Sequence, residues 1–191
     1  MNKYIYTKTW FLESEIKQKV VNLINKNNRR FILEIGCYEG LSSVFFADNL
    51  LNHSDSTLTC VDPFLHIDNN DHNQLLNNVE NNFDNNIRIC NNSNKITVHK
   101  ITSDEFFKNN NNKKNQRFHF IYIDGCHEPD FIMRDMENSF ACLENNGIMW
   151  MDDYGGGDGI KIKNTMDDFL KKYNNQYEII HKGYQLAIRK I

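Results

Sequence analysis

Phe31-Ile32-Leu33-Glu34-Ile35-Gly36-Cys37-Tyr38-Glu39-Gly40 decides the fold. Phe31 to Gly36 is an apolar run short enough for one buried strand. Two glycines then permit a tight turn and a close backbone approach by a ligand. Leu41 to Leu51 follows with helical periodicity, with Leu41, Val44, Phe45 and Leu51 facing inward. A strand, a glycine turn and a helix in that order open an α/β unit.

The same alternation continues outward. Thr57-Leu58-Thr59-Cys60-Val61-Asp62 is a second strand that stops at an acid. Residues 72–83 predict a polar helix with Leu75, Leu76, Val79 and Phe83 inward. Residues 96–101 are a third strand, and Ser103-Asp104-Glu105 opens a short helix. Residues 118–124 are a fourth strand. Pro129 suits the first turn of the next helix, whose stripe is Ile132, Met136, Phe140 and Leu143. Asn146-Gly147 is expected to stop it through a left-handed cap, and residues 148–152 make a fifth strand. Met166, Phe169 and Leu170 mark a last helix. Residues 177–181 and 184–188 read as strands of a hairpin turning at Lys182-Gly183. Upstream, residues 13–25 form a helix with Ile16, Val20, Leu23 and Ile24 on one face. The expected fold is therefore α/β: a Rossmann-like doubly wound sheet, mostly parallel, closed by a C-terminal antiparallel hairpin. Residues 1–30 belong to the same domain as the body, residues 31–191.

Composition narrows the function. A chain of 191 residues has room for one domain and none for a separate substrate domain. The net charge of −3, with lysines and arginines scattered, offers no basic groove for nucleic acid or an anionic membrane. No apolar stretch reaches the ~20 residues of a membrane span, and the first residues lack a signal-peptide core. Five cysteines without paired spacing argue against a disulfide framework and for a reducing, cytoplasmic setting; Cys60 and Cys142 read as small core residues. The asparagine-dense stretches, 69–94 and 109–112, read as polar loops and frayed ends.

Two strand ends carry the chemistry. Phe120-Ile121-Tyr122-Ile123 stops at Asp124-Gly125-Cys126-His127, and Ile148-Met149-Trp150-Met151 stops at Asp152-Asp153. Parallel strands end on one edge, where ligands bind. Asp124, Asp152 and Asp153 are expected to converge there beside His127, and three carboxylates share a site only when a cation joins them. Oxygen donors favour a hard ion such as Mg²⁺. His127, with a reference pKa of ~6.5, is available as a base at neutral pH, or serves only as a cap for the helix at Pro129. Asp62 is placed to accept from ribose hydroxyls.

Here the chain resembles the class I S-adenosylmethionine-dependent methyltransferases. Glu34, Gly36 and Gly40 match that family's first motif, E-x-G-x-x-x-G, and Asp62 its ribose-binding acid; Ser103 and Asp104 fall where the family contacts adenine. Asp124-Gly125-Cys126-His127 and Trp150-Met151-Asp152-Asp153-Tyr154 are similar to a narrower group, the metal-dependent O-methyltransferases of sugar (macrocin and mycinose-type) hydroxyls. The resemblance implies S-adenosylmethionine as methyl donor, Mg²⁺ or another hard divalent cation on Asp124, Asp152 and Asp153, His127 as general base, and a sugar or nucleotide-sugar acceptor. Catechol-type enzymes carry Asn where this chain has Asp153, and a phenol acceptor or a non-catalytic binding module are the competing readings.

Five further expectations concern the surroundings. Tyr154 is placed to line the acceptor pocket. Gly155 to Gly159 form a flexible loop that either folds over the acceptor or only links two elements. Tyr4, Tyr6, Trp10 and Phe11 form an N-terminal aromatic cluster for core packing or a dimer contact, and Phe64 packs either on adenine or in the core. A chain this short is expected to complete its pocket wall as a homodimer.

Overall fold

The computed structural model describes residues 3–24, 27–65, 73–110, 117–156 and 160–191. Seven strands form one sheet in the order β3-β2-β1-β4-β5-β7-β6. β1 (Phe31–Ile35), β2 (Thr57–Val61), β3 (Ile96–His99), β4 (Phe118–Ile123) and β5 (Leu143–Met151) run parallel, whereas β7 (Leu186–Lys190) lies antiparallel to β5 and to β6 (Tyr177–Lys182). The expected doubly wound sheet with a terminal hairpin is the observed one.

The central strands are apolar on both faces because helices cover both. One side holds Phe46, Leu50 and Phe120 with Ile16 and Val20; the other holds Leu33, Ile121 and Met149 with Met136 and Phe169. The first layer is supplied by α1 (Glu15–Leu23), α2 (Leu41–Leu50) and α3 (Asn73–Ile89); the second by α4 (Ser103–Asn110), α5 (Pro129–Cys142) and α6 (Ile160–Lys172). No helix among the described residues is long and apolar enough to cross a membrane.

Several local expectations shift. α1 is preceded by a 3-10 turn at Trp10–Glu13, and Leu23 is exposed rather than inward. α3 runs on to Ile89 and adds Ile87 to its buried stripe of Val79 and Phe83; the side chains of Leu75 and Leu76 lie outside the described residues. α5 ends at Cys142, and its cap, Leu143, is already extended. The left-handed residue that follows is Asn146 (φ 63), not Gly147. β5 therefore begins earlier than expected, and an irregularity in its pairing with β4 absorbs the residues between Leu143 and Ile148. The hairpin turns at Gly183 to Gln185, so Tyr184 and Gln185 sit in the turn and not in a strand. The five cysteines are free, with Cys142 only half-buried.

The N-terminal aromatics do not form one cluster. Tyr4 stacks on Tyr6 at 6.0 Å, and Phe11 is buried against Phe45, Phe46 and Tyr122. Trp10 is 70 % exposed, over Tyr38. Phe64 belongs to the core, with its ring 5.0 Å from Phe83.

Candidate active site

The glycine turn after β1 is held by its neighbours. Gly36 adopts φ 82, and its N–H donates to the Val61 carbonyl at 3.0 Å. Asp62 secures the rest: Oδ2 accepts from the Cys37 and Tyr38 amides at 2.7 and 3.0 Å, and Oδ1 from Phe64 at 2.7 Å. A carboxylate has about four lone-pair positions. Three accepted bonds leave room for one more donor, as a ribose hydroxyl would require.

Glu34 points the other way. It is wholly buried, and its two oxygens accept from the Ser42 and Ser43 hydroxyls at the start of α2. Burial pushes its carboxyl up to about 7, against the opposing pull of those hydroxyls. Any help it gives a ligand at the turn passes through the position of α2. Gly40 is the left-handed cap of that helix (φ 78). Ser103 hydrogen-bonds Asp135, and Asp104 forms a two-pronged pair with Arg134 at 3.0 Å on each arm.

At the ends of β4 and β5 the carboxylates do meet. The Asp124 N–H donates to Ile35 and the Asp152 N–H to Ile123, which carries the ladder one residue past the strands and sets the acids side by side. Tyr122, fully buried, aims its hydroxyl between them: it donates to Asp152 Oδ2 at 2.7 Å, with Asp124 Oδ2 at 3.2 Å. Asp153 adopts φ 60, which turns its side chain toward His127, and His127 Nε2 lies 3.0 Å from Asp153 Oδ2. Donor atoms of Asp124, His127 and Asp153 all lie within 4.8 Å of one another, a spacing one cation can span.

Electrostatics follow this crowding. Enclosure by protein, then repulsion from Asp152 and Asp153, pushes the Asp124 carboxyl well above the usual carboxylate range. Its residue surface is nevertheless open to solvent, so the repulsion is the firmer of the two causes. The hydrogen bond between them raises His127 and lowers Asp153, as in an ion pair. His127 is thus more readily protonated than a free imidazole, which differs from the expectation of a largely neutral base. A small recess walled by Ile132, Met136, Ile162 and Met166 opens beside the acids. A wider groove over α6, bounded by Asn164, Asp168, Lys171 and Tyr177, shares no residue with them.

Tyr154 does not line this recess. It is buried, and its hydroxyl donates to Asp167 at 2.8 Å while the Lys163 and Lys182 ammonium groups lie 5.1 and 5.2 Å from its ring. The aromatic residue at the acids is Tyr184, whose hydroxyl donates to Asp153 Oδ1 at 2.7 Å. Of the glycine loop, residues 157–159 lie outside the described residues. Gly155 is bonded to the Tyr184 carbonyl at 2.8 Å, and Gly156 lies so close to the Tyr184 ring that a Cβ would fall 1.9 Å from it. Three residues at the acids escaped the sequence reading: Tyr122, Tyr184 and Gln185, the last donating to Asp152 Oδ1 at 3.0 Å. Tyr122 carried a signal, since it sits two residues before Asp124 and therefore on the same face of the sheet.

Comparison with known proteins agrees with the fold. Residues 33–154 match a family described as a methyltransferase domain, and the chain belongs to that family. It is a class I, S-adenosylmethionine-dependent methyltransferase. No curated protein matches the chain significantly. Among solved structures, a putative rRNA-methylase from Clostridium thermocellum is similar over 98 % of both chains, with 15 % identity and a TM-score of 0.68. The O-methyltransferase from Bacillus cereus, in complex with SAH, aligns over 98 % of this chain and 84 % of its own at 14 % identity and a TM-score of 0.68. TomG from Streptomyces achromogenes, an O-methyltransferase involved in tomaymycin synthesis and bound to SAM, aligns over 93 % and 80 % at 13 % identity and the same TM-score, 0.68. At these identities the likeness is one of fold.

Proposed function

We propose that this chain transfers the methyl group of S-adenosylmethionine to a hydroxyl of a sugar or nucleotide sugar, with a divalent cation such as Mg²⁺ held by Asp124, Asp152 and Asp153. The observation that carries the reading is the gathering of Asp124, His127 and Asp153 within 4.8 Å at the strand edge shared with the glycine turn. The donor set fits a hard cation: carboxylate oxygens gathered at one edge, with Asp124 crowded by the negative charges of Asp152 and Asp153. Asp152 stands beside them, held by Tyr122 and Gln185. The cation, when bound, lowers the pKa of an acceptor hydroxyl and orients it.

The residues of the chain supply the remainder. Asp62 and the Gly36 to Gly40 turn are placed to hold the donor's ribose and the adjoining chain. Ser103 and Asp104 are assigned to its adenine, with Asp104 also serving Arg134. His127 takes the acceptor proton at Nε2. His127 would stay in the neutral, accepting form when a divalent cation is held by Asp124, Asp152 and Asp153, because the nearby positive charge would oppose the imidazolium. The apolar recess of Ile132, Met136, Ile162 and Met166 excludes water from one side of the site. A net charge of −3 argues against a nucleic-acid acceptor, despite the fold shared with the Clostridium structure. A homodimer, part of the same reading, is tested by solution mass.

The functional test is transfer of a labelled methyl group from S-adenosylmethionine to a panel of sugars, nucleotide sugars and catechols, with and without EDTA. Sugar methylation that stops in EDTA and returns with Mg²⁺ supports the proposal. Full turnover in EDTA removes the cation, and methylation confined to catechols removes the sugar.

A further inference from the structure

The turn of the C-terminal hairpin touches the acid pair residue for residue. β5 and β7 are antiparallel with Met151 opposite Leu186. One step beyond that pair Asp152 meets Gln185, and one step further Asp153 meets Tyr184. Both encounters are hydrogen bonds: Gln185 Nε2 to Asp152 Oδ1 at 3.0 Å, and Tyr184 Oη to Asp153 Oδ1 at 2.7 Å. We propose that Tyr184 and Gln185 are positioning residues that aim Asp153 and Asp152 at the divalent cation, an inference that rests on the metal reading above.

Each of the two is itself fixed. Gln185 is wholly buried, and its Oε1 accepts from the Ile16 amide at 2.8 Å and from Trp150 Nε1 at 3.0 Å. With Oε1 committed to two donors, the side-chain amide has one orientation, and Nε2 faces Asp152 as a donor. The Gln185 backbone N–H in turn donates to Glu15 Oε2 at 3.0 Å, and that same oxygen meets His181 Nε2 at 2.7 Å. The start of α1 is thereby docked on the turn. Tyr184 is fixed differently. Its carbonyl accepts from Gly155 at 2.8 Å, and its ring covers Gly156 so closely that only glycine fits beneath.

The two contacts select one carboxylate oxygen from each acid. Asp153 Oδ1 is taken by Tyr184, while Oδ2 faces His127. Asp152 Oδ1 is taken by Gln185 and by the Asp153 amide at 2.8 Å, while Oδ2 faces Tyr122 and, past it, Asp124. Asp152 Oδ2 shares the Tyr122 hydroxyl with Asp124, and Asp153 offers a ligand atom within 4.8 Å of one on Asp124; a shared cation would draw these acids from their present partners. Partners of this kind commonly alter metal affinity by about 10–100-fold when removed.

The test compares Mn²⁺ affinity, read by electron paramagnetic resonance, with S-adenosylhomocysteine affinity, read by calorimetry. Tyr184→Phe removes one hydroxyl and keeps the ring on Gly156. Gln185→Met removes the donor to Asp152 without adding charge, at the cost of the acceptor for Ile16 and Trp150; should it fail to fold, Tyr184→Phe carries the test alone. The expected result is Mn²⁺ binding weakened about tenfold or more, with S-adenosylhomocysteine binding unchanged within about twofold. Mn²⁺ affinity equal to that of the parent in every folded variant overturns the inference while leaving the metal site standing. A parent chain that binds no Mn²⁺ overturns the metal reading and the inference together.

Discussion

The carbonyl oxygen of Asp124 lies where a side chain on Gly36 would begin: a Cβ at residue 36 falls 1.9 Å from it. The turn after β1 and the end of β4 are therefore pressed together, and the candidate donor site and the acid cluster share a wall. The obstacle is backbone, which does not move aside, and φ 82 adds strain of its own for any larger residue. Gly36→Ala is expected to cost at least about 2 kcal/mol of stability and to lose S-adenosylmethionine binding. Urea unfolding and calorimetry check it; an alanine variant with unaltered stability would mean that the two loops are not in contact.

Glu34 makes stability depend on pH in an unusual direction. Its folded pKa of about 7 lies above the value of ~4.3 expected when unfolded. The folded state therefore holds a proton that the unfolded state releases. The resulting stabilisation is complete below about pH 4.3 and is lost as pH rises to about 7, with a ceiling of about 3–4 kcal/mol. Asp135, raised to about 6 chiefly by burial, acts with the same sign over a lower window. Glu34→Gln is expected to flatten the decline in unfolding free energy between pH 5 and 7, leaving the smaller slope of Asp135. An undiminished slope in the variant would assign the effect elsewhere.

His127 and Asp153 shift in opposite directions, and the two signs define one window. His127 is raised, so its contribution is full below about pH 6.5 and disappears as pH climbs through its folded value. Asp153 is lowered, so its contribution is full above about pH 3.9 and disappears as pH falls through its folded value. The pair acts between those limits. With the His127 side chain 51 % exposed, the stabilisation stays under about 1 kcal/mol. The sharper readout is the imidazole itself. Without divalent cation, Asp153→Asn is expected to lower the His127 pKa, followed by NMR of the ring protons. A pKa that stays where it was would show that Asp153 is not its partner.

What could be read in the sequence was set by backbone periodicity, and what escaped was set by register. β2 and β4 are short apolar runs ending in acids, so strand, direction and edge followed from the order of residues alone. The meeting of Asp124 with Asp153 followed from that edge. Tyr184 and Gln185 escaped because the hairpin was expected to turn at Lys182-Gly183. The observed turn at Gly183 to Gln185 moves both residues out of a strand and onto the acids. Tyr154 departs from its expected place for a related reason: Asp153 at φ 60 redirects the chain, and a side chain three positions past β5 no longer follows its alternation. Glu34 was assigned to the ligand by its motif, whereas the two serines opening α2 engage its oxygens on the buried side.

Tyr122 offers a test in which packing and charge separate. Its ring is wholly buried against Phe11 and Phe46, with centroids 6.1 and 5.5 Å away. Its hydroxyl reaches Asp152 at 2.7 Å with Asp124 at 3.2 Å. Tyr122→Phe keeps the first set of contacts and removes the second. A hydrogen bond to a charged acceptor contributes about 1.5–3 kcal/mol, and its loss leaves the Asp124 and Asp152 carboxylates without the donor between them. The variant is expected to lose stability by roughly that amount at pH 7, and less at low pH, where protonation of Asp124 supplies a substitute donor. S-adenosylhomocysteine affinity is expected to hold, because Asp62 and the glycine turn are untouched, while methyl transfer declines. Urea unfolding at two pH values, calorimetry and a turnover assay separate these effects. Equal losses of stability at both pH values would mean that the hydroxyl acts through packing and not through the acids.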